Sequence, residues 1–170
     1  MKITKNYRSK TSLAFGLIVS LAICFSAAAL GGLATTSSVN DDWFANLNKP
    51  SWNPPNWIFG PVWSALYLMM AIAAWLVWKQ SGFAKSKGAL IWFGLHLILN
   101  ILWSVLFFAL RQPSWAAIEI LILWISIAVS IMLFSRHSKL AAGLLTPYLA
   151  WVTFAAFLNM VIWSLNQVDV

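Results

Sequence analysis

His96, Asn100 and Ser104 are spaced by four residues in an otherwise apolar run. That spacing puts an imidazole, a carboxamide and a hydroxyl on one face of a helix. Such a face can hydrogen-bond a neighbouring helix, line a polar cavity or pass a proton. Glu119, Ser126, Thr153 and Asn159 are the other polar residues deep in apolar runs. Among these seven only His96 and Glu119 titrate, and a relay needs partners in series. Helix–helix hydrogen bonding is therefore the favoured use of the face. Glu119 is expected to reach an interface or to pair with Arg111.

A second kind of chemistry belongs to the aromatic residues. The chain holds 12 tryptophans in 170 residues. Trp43, Trp52, Trp57, Trp115 and Trp163 fall near the ends of apolar runs, where indoles form interfacial belts. Trp63, Trp103 and Trp151 fall deeper. A deep indole needs a partner for its N–H, and its face suits a flat aromatic ligand as well as a packed core. The stretch KPSWNPPNWIFGPVW, residues 49–63, adds four prolines to three tryptophans. Prolines fix the backbone at little ordering cost, and Pro54 or Pro55 suits the first turn of a helix. The stretch reads as a rigid aromatic rim over a cavity, or as a belt with a proline-started helix.

Conventional catalytic constellations are missing from the sequence. His96 and His137 lie on different segments without cysteine or acid at metal-ligand spacing. There is no phosphate-cradling glycine loop and no G-x-S-x-G elbow. Cys24 is the only cysteine, which excludes an intramolecular disulfide and points to a small buried apolar residue.

The elements that must hold these side chains follow from composition. The chain is 61% hydrophobic and 9% charged, against about 25% charged in soluble domains. Charges divide it into five runs, 13–34, 50–78, 88–110, 112–135 and 140–168. Each reaches the roughly 20 residues that a helix needs to cross hydrocarbon, and none alternates as a barrel strand does. The fold class is an all-α membrane protein, one domain over residues 1–170. It is a bundle of five transmembrane helices near 13–34, 52–78, 88–110, 113–135 and 139–166, with a long first extramembrane loop. That loop, 35–49, is polar and has room for a short helix capped by Asn40 or Asp41. Pro61 and Pro147 are expected to bend their helices.

The net charge of +7 excludes nothing until it is placed. With the N-terminus cytoplasmic, nine basic residues lie inside (Lys2, Lys5, Arg8, Lys10, Lys79, Lys85, Lys87, Arg136, Lys139) and two outside (Lys49, Arg111). The charge therefore sets topology and does not bind nucleic acid. The C-terminus is then outside, in a bacterial cytoplasmic membrane in preference to an outer one. Residues 1–30 also have the basic start and small residues of a cleaved signal peptide, though their apolar run is long for one.

WFANLNKPSWNPPNWIFGPVWSALY resembles the signature of the TspO/MBR family, the tryptophan-rich sensory proteins of bacteria and the mitochondrial translocator protein. LILNILWSVLFF, RQPSWAAIEI and TPYLAWVTFAAFLN agree, so the resemblance spans residues 43–166 in register. It implies a five-helix bundle that binds porphyrins in a pocket under the first loop, with no resident cofactor or metal. By matching motif, the pocket would be lined by Trp52, Pro54, Trp63, Tyr67, Asn100, Trp115, Trp151, Ala155 and Leu158. His96 joins them, standing where the family usually has Gln. Met70 stands where Gly is common. No basic residue follows Met160 to make the animal sterol motif. Trp63 and Trp151 resemble two tryptophans implicated in light-dependent porphyrin breakdown.

The expected function is therefore a membrane receptor or sensor for porphyrins, haem precursors and similar flat apolar ligands. A porphyrin transporter and a light-dependent porphyrin-degrading protein are the alternatives, and enzymatic activity is otherwise not expected. Expected partners are the tetrapyrrole and membrane lipid. A homodimer through small residues such as Ala28 and Gly32 is a further possibility.

Overall fold

The computed structural model describes residues 9–39 and 42–167, and all regular structure among them is helical. In chain order come α1 (Lys10–Val39), a short α2 (Trp43–Asn46), α3 (Asn56–Ser104), a π-helical turn (Val105–Ala109), α4 (Pro113–Ser135) and α5 (Lys139–Leu165). Among the described residues, four stretches are long and apolar enough to cross a membrane: Lys10–Thr36, Asn56–Ala109, Pro113–Ser135 and Lys139–Leu165.

The second stretch has 54 residues. Straight, it would be about 80 Å long, against roughly 30 Å of hydrocarbon. It is not straight. Gly82 has φ 75° and ψ 160°, a combination open in practice only to glycine. The hydroxyl of Tyr67 donates to Oδ1 of Asn100, 33 residues on. On one straight helix these groups would stand about 50 Å apart. The chain therefore reverses at Gly82, and residues 56–81 and 83–104 are two antiparallel arms. The sequence reading expected an irregular link between residues 78 and 88. The helical turns instead continue almost to the reversal. Gln80 Nε2 donates to Ser138 Oγ at 3.1 Å, and Ser81 Oγ lies 2.8 Å from His137 Nδ1. These side chains tie the reversal to the α4–α5 turn.

α1 is also longer than expected and takes in residues 35–39 of the polar connection. The hydroxyl of Thr35 donates to the Gly31 carbonyl at 3.0 Å, and that of Thr36 to Leu33 at 2.9 Å. Polar side chains that bond back to their own helix do not end it. Gly31 permits close approach here: a Cβ on it would lie 3.3 Å from Ser104 Oγ, whereas Gly32 faces open space. The expected caps Asn40 and Asp41 lie outside the described residues. The residue before Trp43 is Asp42, at φ 59° with no side-chain cap bond.

The prolines are placed with small differences. Pro55 immediately precedes α3, and Pro113 opens α4. Pro147 lies inside α5, where it deprives the Gly143 carbonyl of its helical donor. The hydroxyl of Thr146 supplies a replacement at 2.8 Å.

The core is built from small and large residues in alternation. Ala71, Ala73 and Ala141 are fully buried beside Met70, Phe134 and Tyr148, so the helices approach closely and the larger groups fill the gaps. Met70 packs in the core without an exposed atom, and Cys24 is buried as expected. The two ends differ in charge. Lys49 and Arg111 stand at the end that carries α2. Lys10, Lys79, Lys85, Lys87, Arg136 and Lys139 stand at the end that carries Gly82 and the α4–α5 turn.

Candidate functional site

A cavity of about 270 Å³ opens beneath α2. Its walls come from α1, α3 and α5 and from the π-helical turn, while α4 contributes none of them. The first arm of α3 contributes Phe59 and Trp63, and the second arm contributes Trp103 and Ser104. The π-helical turn contributes Phe107 and Phe108, and α5 contributes Trp151, Ala155, Leu158 and Asn159. Phe44 of α2 closes the top. The π turn matters locally because its wider helix sets Phe107 and Phe108 side by side, 4.9 Å between centroids, with both against Phe44. Trp103 stacks on Phe107 at 5.4 Å and 25°.

The indole N–H groups of the wall are treated unequally. Trp103 Nε1 donates to Asn159 Oδ1 at 3.0 Å, while Asn159 Nδ2 donates to the Pro113 carbonyl at 2.8 Å. One carboxamide thus pins Trp103 and joins α5 to the start of α4. Trp75, Trp92 and Trp124 likewise donate to Leu13 O, Ser126 O and Thr153 Oγ1. Trp63 and Trp151 have no hydrogen-bond partner among the described residues, and their N–H groups are not sealed in protein. The cavity therefore presents two aromatic faces with spare donors.

One helical turn below lies a buried polar cluster. Asn100 accepts from the Tyr67 hydroxyl and donates from Nδ2 to the Tyr148 oxygen at 2.9 Å. Both tyrosine rings touch Trp63, at 5.8 Å and 6.2 Å between centroids. The cluster thus sets the floor of the site. His96, fully buried, sits 5.7 Å from the Tyr148 ring. Its Nδ1 lies 2.9 Å from Ser130 Oγ, whose own proton goes to the Ser126 carbonyl. Ser130 therefore accepts, and His96 carries its proton on Nδ1. Nε2 is then an acceptor, buried without a partner. The hydrogen-bonded series ends there. Glu119 is 5% exposed, and neither carboxylate oxygen has a partner. The expected pair with Arg111 does not form, because Glu119 faces the bundle interior.

The roof is held from its edges. The backbone of Asn48 exchanges two hydrogen bonds with the Asn166 side chain, at 3.0 Å and 2.9 Å. Lys49 Nζ donates to the carbonyls of Ala45 and Leu47 at 3.0 Å and 3.1 Å, and lies 4.8 Å from the Phe44 centroid. Partial burial holds its pKa below the ordinary lysine value. Lys49 serves as a cap for α2 and fixes the ring that closes the cavity.

Of the residues expected at the site, the structure places Trp63, Trp151, Ala155 and Leu158 on the cavity wall. Tyr67, Asn100 and His96 lie in the cluster beneath. Trp52 is half exposed and stands beside the wall, 5.9 Å from Phe154, which lies 5.4 Å from Trp151. Pro54 lies in the same rim segment, outside the wall. Trp115 stands apart, 62% exposed on the outer face of α4. Sequence reasoning missed Phe44, Phe59, Phe107, Phe108 and Ile162 as wall residues. Phenylalanines in apolar runs carry no signal that separates a cavity wall from a core. Trp103 and Asn159 did carry one, an indole and a carboxamide at membrane depth.

A model of the TspO/MBR family matches residues 20–164. The Tryptophan-rich protein TspO of Chlorobaculum tepidum is 38% identical over 156 residues, 88% of this chain and 97% of its own. The Translocator protein of Homo sapiens is 42% identical over 128 residues, 74% of this chain and 75% of its own. The Tryptophan-rich sensory protein of Cereibacter sphaeroides is 37% identical over 141 residues, 82% and 87% of the two chains.

Proposed function

This chain belongs to the TspO/MBR family of integral, multi-pass membrane proteins, and from that premise we propose that it is a receptor or sensor for tetrapyrroles. The observation that supports the reading most is the aromatic cavity beneath α2, with Trp63 and Trp151 on its wall and their N–H groups unpaired. A flat macrocycle offers π-faces to the rings and polar ring edges to the donors. Ligand sites usually measure about 300–1,000 Å³, so a whole macrocycle enters this smaller cavity by displacing α2 outward. Absorbance titration of the purified protein with a porphyrin tests the reading. Saturable binding at one site with tryptophan quenching is expected. Porphyrin that partitions into detergent equally with and without the protein would remove it.

Light-dependent breakdown of the ligand is the second reading, favoured by the shared position of Trp63 and Trp151 on one cavity. Product formed only under illumination, and abolished in Trp151→Phe, would give it precedence over sensing.

In the same reading the chain crosses the membrane five times, each arm of α3 counting once, with the N-terminus cytoplasmic. Ser51 is exposed in the turn before α3. In a Cys24→Ser background, Ser51→Cys is expected to react with an impermeant thiol reagent in intact cells. Labelling only after lysis would reverse the orientation.

Lys49 provides a further prediction. Its ammonium already serves two carbonyls of the roof. Lys49→Gln is therefore expected to weaken a dicarboxylate porphyrin and its dimethyl ester by the same factor, at any salt concentration. A loss confined to the acid, shrinking as salt rises, would assign Lys49 to the ligand's charge.

A further inference from the structure

A second hollow, about 350 Å³, runs along the outside of the bundle between α1 and the two arms of α3. Phe15 and Val19 form one side, Leu90, Ile91 and Gly94 the other, and Trp78 lies between them. It is distinct from the cavity beneath α2 and shares no lining residue with it. The hollow follows from local sequence. Gly16 lets the Trp78 ring press against α1, since a Cβ there would come within 2.3 Å of it. Gly94 has no atom within 4 Å of where its Cβ would stand, so the opposite wall is recessed. The result is a narrow apolar trough in a surface that faces lipid.

Charge distinguishes this trough from an ordinary seam between helices. On the second arm of α3, Lys87 precedes Leu90, Ile91 and Gly94 by three, four and seven residues. It therefore stands on the same face, one turn nearer the end of the bundle. Lys79 follows Trp78 directly, and its ammonium lies 4.6 Å from the Trp75 centroid. Lys10 and Lys85 are exposed at the same end. Among the described residues the carboxylates are Asp42, at the α2 end, and the buried Glu119. No described acid at this end neutralises the lysines.

We propose that this trough is a binding site for an anionic glycerophospholipid. One acyl chain lies along Leu90, Ile91 and the Gly94 recess, and the headgroup phosphate meets Lys87 and Lys79. An acyl chain fits an apolar channel lined on three sides, and basic pockets between transmembrane helices select acidic headgroups. A zwitterionic lipid can fill the trough equally well, but its own cation meets the lysines unfavourably.

Native mass spectrometry of the full chain tests the proposal. The protein is released from nanodiscs of equal phosphatidylglycerol and phosphatidylcholine, and the retained lipid is weighed. One phosphatidylglycerol retained in preference to phosphatidylcholine is expected. Lys87→Gln should lower that preference about fivefold, equivalent to about 1 kcal/mol for one basic residue. Gly94→Phe puts a ring into the recess from a position where a Cβ meets no atom within 4 Å, and it should abolish retention of either lipid while leaving the thermal transition in place. Equal retention of the two lipids by the unsubstituted chain would overturn the headgroup assignment. Retention unchanged in a folded Gly94→Phe variant would overturn the trough as the site. A dimer that Gly94→Phe dissociates, with no lipid retained by either form, would give the trough to a second copy of this chain and also overturn the proposal.

Discussion

Trp151→Ala is expected to weaken tetrapyrrole binding by about 1–3 kcal/mol, the range for one flat ring stacked on an aromatic side chain. The indole lies at the junction of wall and rim, 5.9 Å from Phe59 and 5.4 Å from Phe154. Its N–H has no protein partner, so truncation orphans no buried group. The cost to folding should therefore stay below the cost to binding. Trp151→Phe keeps a face but loses the donor and part of the area, and its loss should be intermediate. Trp63→Ala acts on the same cavity and also removes a ring from Tyr67 and Tyr148. The double variant should not lose the sum of the two, because neighbouring sites couple. A porphyrin titration of each folded variant measures all three. Unchanged affinity in the double variant would return both rings to packing.

The parts of this molecule that follow additive rules were legible in the sequence. Charge-free runs marked the long apolar helices, though two of those runs fall on the single folded helix α3, and Pro113 marked the start of α4 where it stands. Polar residues at depth pointed inward, and His96, Asn100 and Asn159 do so. Their partners were not legible, because a partner depends on how two helices are rotated about their axes. Asn100 bonds two tyrosines that sequence reasoning left unpaired, and Glu119 turned away from Arg111. Lys49 stands beside the aromatic rim in sequence, a position that suits contact with a ligand's charge. Three residues of loop curvature instead fold it back on α2. The cavity's phenylalanines were invisible for a different reason. Apolar patterning shows that a residue is buried or lipid-facing, not whether the space beside it is filled.

Gly82→Ala is expected to destabilise the fold by about 1–3 kcal/mol, the usual cost of holding a side chain in a forbidden backbone region. The reversal between the arms of α3 rests on φ 75° and ψ 160° at this one residue. The position is not left-handed helical, for which ψ would be about 30–60°. Asparagine, which tolerates the left-handed region, should therefore rescue nothing. The glycine also sits among bonds that need its geometry. Its carbonyl accepts from Ser86 Oγ at 2.6 Å, and the preceding Ser81 and Gln80 reach His137 and Ser138. Strain at Gly82 is thus transmitted to the α4–α5 turn. Gly88→Ala supplies the control, since Gly88 is helical and a Cβ there meets nothing within 4 Å. That change should be neutral or stabilising by up to about 1 kcal/mol. Thermal unfolding in one detergent, followed by tryptophan fluorescence, separates the variants. The midpoints should fall for Gly82→Ala and Gly82→Asn alike, and hold or rise for Gly88→Ala. Equal midpoints for Gly82→Ala and the unsubstituted chain would mean that packing between the arms sets the reversal, and that the backbone at residue 82 merely follows it.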